Sequence, residues 1–318
     1  MVPGRCVYYD AFVEEVRLRA GNIIWLGDEV RFRYKKFRYR SDAGIWNRMR
    51  SLLVETRIPV QSLSDVRIEL HKNGGHSGLV LTPRAGACPF HTVAGGTIEH
   101  PDFNPLYFFV HGKEELIGEY FAEELKAAIR KTGLADTPAE RPLIRVPGIP
   151  QRLIGGDGRI TLNRDTVTFE FNQLAEPEKV DRRRIWTVPM SSIESVSWEP
   201  GYLAVDEISY VQVHLVGTPE GASVHPFVDI NALLMSPGPA EADALFFAAA
   251  LHERVMSNRS QPDPATLGTW LDLYHPHRSS ERSGDSLELL KELAELRAAG
   301  VLTEDEFQAK KKEILDRL

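Results

Sequence analysis

The sequence predicts an α+β protein: two tandem strand-rich modules, each closed by a C-terminal helix, followed by a two-helix hairpin. Three observations predict it. Residues 21–34 are repeated at 158–171, with Gly21/Gly158, Ile23/Ile160, Asp28/Asp165, Val30/Val167, Phe32/Phe169 and Tyr34/Phe171 in register. Within each copy, apolar residues alternate with polar ones, the period of a strand with one buried face. At the end of each copy, and again in the tail, apolar residues recur at helical spacing.

The first module spans 13–131. Val30, Phe32 and Tyr34 alternate with charges, and residues 58–70 read as a turn leading into a strand. Asn73, Gly74 and Gly75 suit a hairpin loop, because asparagine and glycine tolerate positive φ. Leu79-Val80-Leu81 is the returning strand, and Pro89-Phe90 reads as strand aligned with Pro226-Phe227. Ile117, Tyr120, Phe121, Ala122, Leu125 and Ile129 form the stripe of the closing helix.

The second module, 150–256, follows the same order. Pro189, Ser192, Val196 and Glu199 match Pro59, Ser62, Val66 and Glu69, and Leu245–Leu251 overlays Glu119–Leu125. Residues 35–53 are longer and more basic than their counterpart at 172–184, so the strands do not align there. Residues 132–149 read as a linker rich in proline and glycine, and 257–285 as a flexible one. In that second linker Trp270, Leu271, Leu273 and Tyr274 form an apolar island.

The tail, 286–318, has one stripe of Leu289, Leu290, Leu293 and Leu296 and another of Phe307, Ile314, Leu315 and Leu318. Gly300 suits a left-handed C-cap, and Thr303 with Glu306 has capping-box spacing. Its Gly-Val-Leu-Thr turn, acidic second-helix start, Phe307 and lysine run resemble the SHOCT (short C-terminal) domain. Over residues 13–256 the paired modules resemble a domain-of-unknown-function family, DUF4429, found mainly in actinobacteria. That resemblance implies pleckstrin-homology-like modules, each a bent antiparallel sheet closed by a C-terminal helix.

Composition sets the class. Hydrophobic residues at 42% and charged residues at 26% are ordinary globular values. The longest apolar run, Ala244–Leu251, is far short of a membrane span. The first residues lack a secretory pattern, and Cys6 and Cys88 are too few for a disulfide framework, so a cytoplasmic protein is expected. Residues 1–135 hold 19 Lys/Arg against 16 Asp/Glu, a balance of +3 that leaves −10 for the rest of the net −7.

Candidate binding residues follow from charge and stripe. Arg31, Arg33, Lys35, Lys36, Arg38 and Arg40 interleave with aromatics at period two, which puts several cations on one strand face. Such a face can meet phosphates; it is equally an amphipathic strand with a solvated side, and the second reading is favoured. The eight apolar tail residues named above are candidates for oligomerisation or partner docking, because a hairpin this small buries too little surface alone.

Histidines near Cys88, including His91, match no standard zinc spacing, so no metal or other cofactor is expected. Gly155-Gly156-Asp157-Gly158 lacks the spacing of a phosphate loop and reads as a turn. Adjacent acidic pairs such as Glu123-Glu124 are badly placed for shared acid–base work. No enzyme signature and no small-molecule substrate is evident.

The expectation is therefore a non-catalytic scaffold. Its tandem modules recognise protein or peptide, and its tail binds a partner or itself. The alternative is a peripheral binder of anionic membrane, or less readily of nucleic acid, through residues 31–40.

Overall fold

A computed structural model of the chain describes residues 14–35, 44–69, 77–146, 152–201, 208–217 and 225–259. The alternation around Gly21 folds as an antiparallel meander of β1 (Glu14–Leu18), β2 (Gly21–Trp25) and β3 (Glu29–Tyr34). A helix, α1 (Ile45–Leu53), precedes the fourth strand, β4 (Glu55–Pro59). Ile23, Trp25, Val30, Phe32 and Ile58 form the buried face, as period two requires. A 3₁₀ turn at Val60–Ser62 leads into a second antiparallel sheet of β5 (Leu63–Glu69), β6 (Ser77–Pro83) and, after α2 (Pro89–Val93), β7 (Tyr107–Val110). Helix α3 (Glu115–Thr132) closes the repeat and stops at Gly133, whose φ of 66° is the left-handed cap glycine favours.

The second repeat rebuilds this frame. β8 (Arg152–Ile154), β9 (Gly158–Leu162), β10 (Thr166–Phe171), α4 (Pro177–Arg183) and β11 (Ile185–Pro189) match the first sheet and its helix. β12 (Ile193–Glu199), β13 (Ser209–Leu215), β14 (Ala232–Met235) and α5 (Pro239–Arg259) match the second sheet and closing helix. The agreement reaches single hydrogen bonds: Val60 N–H donates to the Asp28 carbonyl and Met190 N–H to that of Asp165, both at 2.8 Å. Both second sheets carry a register shift one residue in, at Leu63/Asp65 and at Ile193/Ser195.

Gly21 and Gly158 repeat for a steric reason. A β-carbon at Gly21 would lie 2.2 Å from the Arg33 carbonyl oxygen, and one at Gly158 would lie 2.4 Å from that of Glu170. Each glycine lets the second and third strands close up.

The fold is thus mixed α/β, with four small antiparallel sheets and five α-helices among the described residues. Three details depart from the sequence reading. Each repeat inserts a helix between its third and fourth strands, where only irregular matching was expected. Pro89-Phe90 begins helix α2, with Pro89 in the first turn where its missing N–H costs nothing, and Pro226-Phe227 lies in a turn. Ile117 and Tyr120 face solvent, so the buried stripe of α3 is Gly118, Phe121, Ala122, Leu125 and Ile129.

The repeats share one core. α5 is buried on nearly every side, from Ala242 through Leu251, because β12 and β13 cover one face and α1 and α2 of the first repeat cover another. Its run of alanines lets those layers approach closely. The described part of the connection between repeats is held as well: Ala139 N–H donates to the Ala85 carbonyl, Leu143 and Ile144 N–H to that of Ala87, and Ile144 is buried. Residues 257–259 end α5; the apolar island around Trp270 and the tail hairpin lie outside the described residues.

Candidate functional site

The outer face of the first four-stranded sheet is a lattice of arginines and carboxylates. Arg31 pairs with Glu29, Arg33 donates to Glu55 at 2.5 Å, Arg57 donates to the same carboxylate at 3.0 Å, and Arg17 reaches Glu15 at 3.2 Å. The hydrogen bond from Arg33 holds the Glu55 carboxyl below its ordinary range. Lys35 turns back, its Nζ donating to the Leu18 carbonyl at 2.7 Å. The structure therefore brings Arg31 and Arg33 together but with their charges already met by glutamates. Lys36, Arg38 and Arg40 lie outside the described residues. On the matching face of the second repeat, Thr168 and Thr187 share a hydroxyl bond at 3.2 Å, and one ion pair, Arg159 with Glu170, remains.

Each repeat also buries a cation whose burial the sequence does not reveal. Arg50, on α1, is 6% exposed and lies against the Trp46 ring, 5.4 Å from the Tyr34 centroid and 5.7 Å from that of Phe109. Burial pushes its guanidinium down to about 9, which leaves it charged at neutral pH. Lys179, on α4, is fully buried, and its ammonium lies 5.2 Å from the Phe171 centroid, the ring equivalent to Tyr34. It donates to Asp157 at 2.7 Å and to the Ala232 carbonyl at 3.0 Å, while Asp157 accepts the Leu234 N–H at 2.9 Å. Burial lowers the Lys179 ammonium and Asp157 opposes the shift. The glycine turn of residues 155–158 thus carries the carboxylate that ties β8–β9, α4 and β14 together. An otherwise isolated aspartate between glycines was the available signal.

Cys88, which caps α2, and His91 within it meet with Nδ1 3.3 Å from Sγ. Burial pushes the thiol up to about 12 and the imidazole down to about 4, so both are neutral and the pair packs rather than reacts. Among the described residues no cluster of three or more His, Cys, Asp or Glu could hold a metal. On the second repeat, Ser197 and His214 share a hydrogen bond at 2.8 Å, beside Gln212 donating to Asp229 at 2.7 Å and Trp186 donating to Asn231 at 2.9 Å. Ser197 and His214 are partly exposed on β12 and β13, whereas Gln212 and Asp229 are buried and Trp186 reaches Asn231 from β11.

The corresponding face of the first repeat is aromatic. Phe109 meets Trp46 edge-on at 4.7 Å and Tyr107 at 4.9 Å. The Tyr107 ring sits where a β-carbon on Gly78 would be, 2.0 Å away. In the second repeat Tyr210 takes the place of Gly78, and Ala232 that of Tyr107. The large side chain has moved one strand across.

Solvent-facing apolar side chains gather on α3, where Leu116 is 78%, Tyr120 58% and Ile117 48% exposed. The same helix borders a groove of about 730 Å³ that also takes in Trp25, Asp28, Val60 and Glu124. Neither was among the sequence candidates, because the helical stripe was assigned wholly to the core. No helix among the described residues is long and apolar enough to cross a membrane.

Residues 160–252 match the family model for a domain of unknown function (DUF4429), and residues 288–315 match that for the short C-terminal domain, SHOCT. The first match runs from β9 into α5, a narrower span than residues 13–256, and the first repeat has the same strand order outside it. No curated protein matches the chain. The eight apolar tail candidates fall in or beside the SHOCT span, outside the described residues. The chain carries a DUF4429 domain in its second repeat and a C-terminal SHOCT domain.

Proposed function

We propose that this chain is a non-catalytic cytoplasmic scaffold, with two pleckstrin-homology-like modules that recognise protein or peptide partners. Its modules span 13–131 and 150–256, joined by 132–149; after 257–285, the hairpin of 286–318 gathers copies or docks a partner. One observation carries the reading. The two repeats keep the same strands, register shift and the Gly21/Gly158 contact while their sheet faces differ: an arginine–glutamate lattice and a buried aromatic cluster in one, threonines and a partly buried polar network in the other. Selection for a frame with different surfaces is what two distinct binding partners demand.

Two sheets of four and three strands with a closing helix support the pleckstrin-homology-like assignment. The anionic-surface alternative rests chiefly on Lys36, Arg38 and Arg40, since carboxylates already hold Arg31 and Arg33. Native capture of the tagged full chain with cross-linking should recover protein partners, with different partners linked to the two repeats. Recovery of lipid or nucleic acid alone, lost steeply with salt, would defeat the reading. Removing 286–318 should lower the mass of the assembly in sedimentation or release a captured partner.

A further inference from the structure

The two closing helices are equivalent, but among the described residues only α5 has its outer face covered. Tyr120 of α3 corresponds to Phe246 of α5, Leu116 to Ala242 and Ile117 to Asp243. On α5 that face is occupied: Phe246 meets Phe90 of α2 edge-on at 5.0 Å, and Asp243 accepts from Arg48 of α1 at 2.7 Å. On α3 the same face is open, and its apolar side chains there are the larger ones. Glu119, Glu123 and Glu124, all exposed, stand where α5 has buried Leu245, Ala249 and Ala250. None of the three glutamates is in an ion pair among the described residues. Toward the C-terminal end of the helix the face runs into the groove walled by Trp25, Val60 and Ala127, where Asp28 adds a further carboxylate, Glu29 is already paired with Arg31, and Lys131 brings one cation at the far end.

We propose that the outer face of α3 and this groove dock a cationic amphipathic helix of a partner protein, a mode that rests on the recognition reading above. The chemistry of the occupant follows from α5, whose helical neighbours supply an aromatic ring and an arginine. Apolar side chains of the partner pack on Leu116, Ile117 and Tyr120, as Phe90 packs on Phe246. Its lysines or arginines meet Glu119, Glu123, Glu124 and Asp28. A neutral or acidic helix would desolvate those carboxylates without a counter-charge, so the glutamates select against it.

The test uses the full chain and two fluorescein-labelled helical peptides of equal length, one built from Leu, Phe and Lys, the other with every Lys replaced by Glu. Fluorescence anisotropy should show binding of the first alone. Affinity should fall tenfold or more in Leu116→Ser/Tyr120→Ser and in Glu119→Lys/Glu124→Lys, while Glu178→Lys, an exposed reversal on the second repeat, leaves it unchanged. All five altered side chains are exposed, so the unfolding temperature of the variants should match wild type. Equal binding by wild type and both double variants overturns this site, yet leaves recognition by the chain to its own capture experiment. An oligomer that dissociates in Leu116→Ser/Tyr120→Ser makes a second copy the occupant and overturns the proposed partner helix.

Discussion

In the first repeat, Arg50 is buried among the rings of Trp46, Tyr34 and Phe109. In the second, Lys179 is buried over Phe171 and reaches Asp157, whose equivalent in the first repeat is Ala20. Both cations come from the helix between the third and fourth strands, and both sit over the ring that ends the third strand. The difference follows from their chemistry. A planar, weakly hydrated guanidinium is well placed against aromatic faces, whereas a compact ammonium loses more hydration and needs an anion beside it. A duplicated frame therefore kept the site of a buried charge while its means of stabilisation changed.

The largest expected effect breaks the second arrangement. Lys179→Met leaves Asp157 buried without its cation and should cost about 3–5 kcal/mol in urea unfolding. Adding Asp157→Ala, the residue of the first repeat, should recover part of the loss. A cost below about 1 kcal/mol for the single variant would show that the ion pair is not what holds α4.

The next concerns α2, where the second repeat has only a turn at the corresponding described residues. His91 is held at about 4 by burial, below the value near 6.5 that a free imidazole has. The folded state binds fewer protons between those values. Stability is then complete above pH 6.5 and falls as the pH drops toward 4, by about 3 kcal/mol. His91→Gln should flatten that part of the profile; an unaltered acid slope would assign it to other groups.

A third test addresses the exchange of Gly78 and Tyr107 for Tyr210 and Ala232. Gly78→Ala should cost about 1–3 kcal/mol by displacing the Tyr107 ring. The same substitution in a Tyr107→Ala background should cost clearly less, and additive effects in that cycle would mean that the ring does not set the requirement. The smallest effect concerns Val54, which ends α1 at φ 50° and ψ −63°, a strained backbone for a β-branched residue. Its counterpart after α4, Arg184, is helical at φ −61°. Val54→Gly should raise stability by about 1 kcal/mol in thermal unfolding, and a loss would show that the turn is not strained.

Much of the frame was legible. Alternation at Val30 and Phe32, the aligned glycines and the Pro59/Pro189 turn all reflect constraints within a few residues, which a single chain displays. The helices α1 and α4 were not, because at nine and seven residues they are short and differ in composition. On α3 the stripe was read from spacing alone, and spacing does not separate the buried Phe121 from the exposed Tyr120 beside it. The basic strand was visible, but its glutamates were not seen as partners, since Glu55 lies 22 residues beyond Arg33.

The sequence by itself determined the duplication and, within each repeat, strands followed by a closing helix, because local periodicity and backbone sterics act along the chain. Only the tertiary structure decided which charges are neutralised and which helix face is covered. Arg48 reaches Asp243 across 195 residues, and Lys179 reaches the carbonyl of Ala232 across 53. Such pairs carry no local pattern, because electrostatic and packing partners are chosen by proximity in space after the sheets have formed.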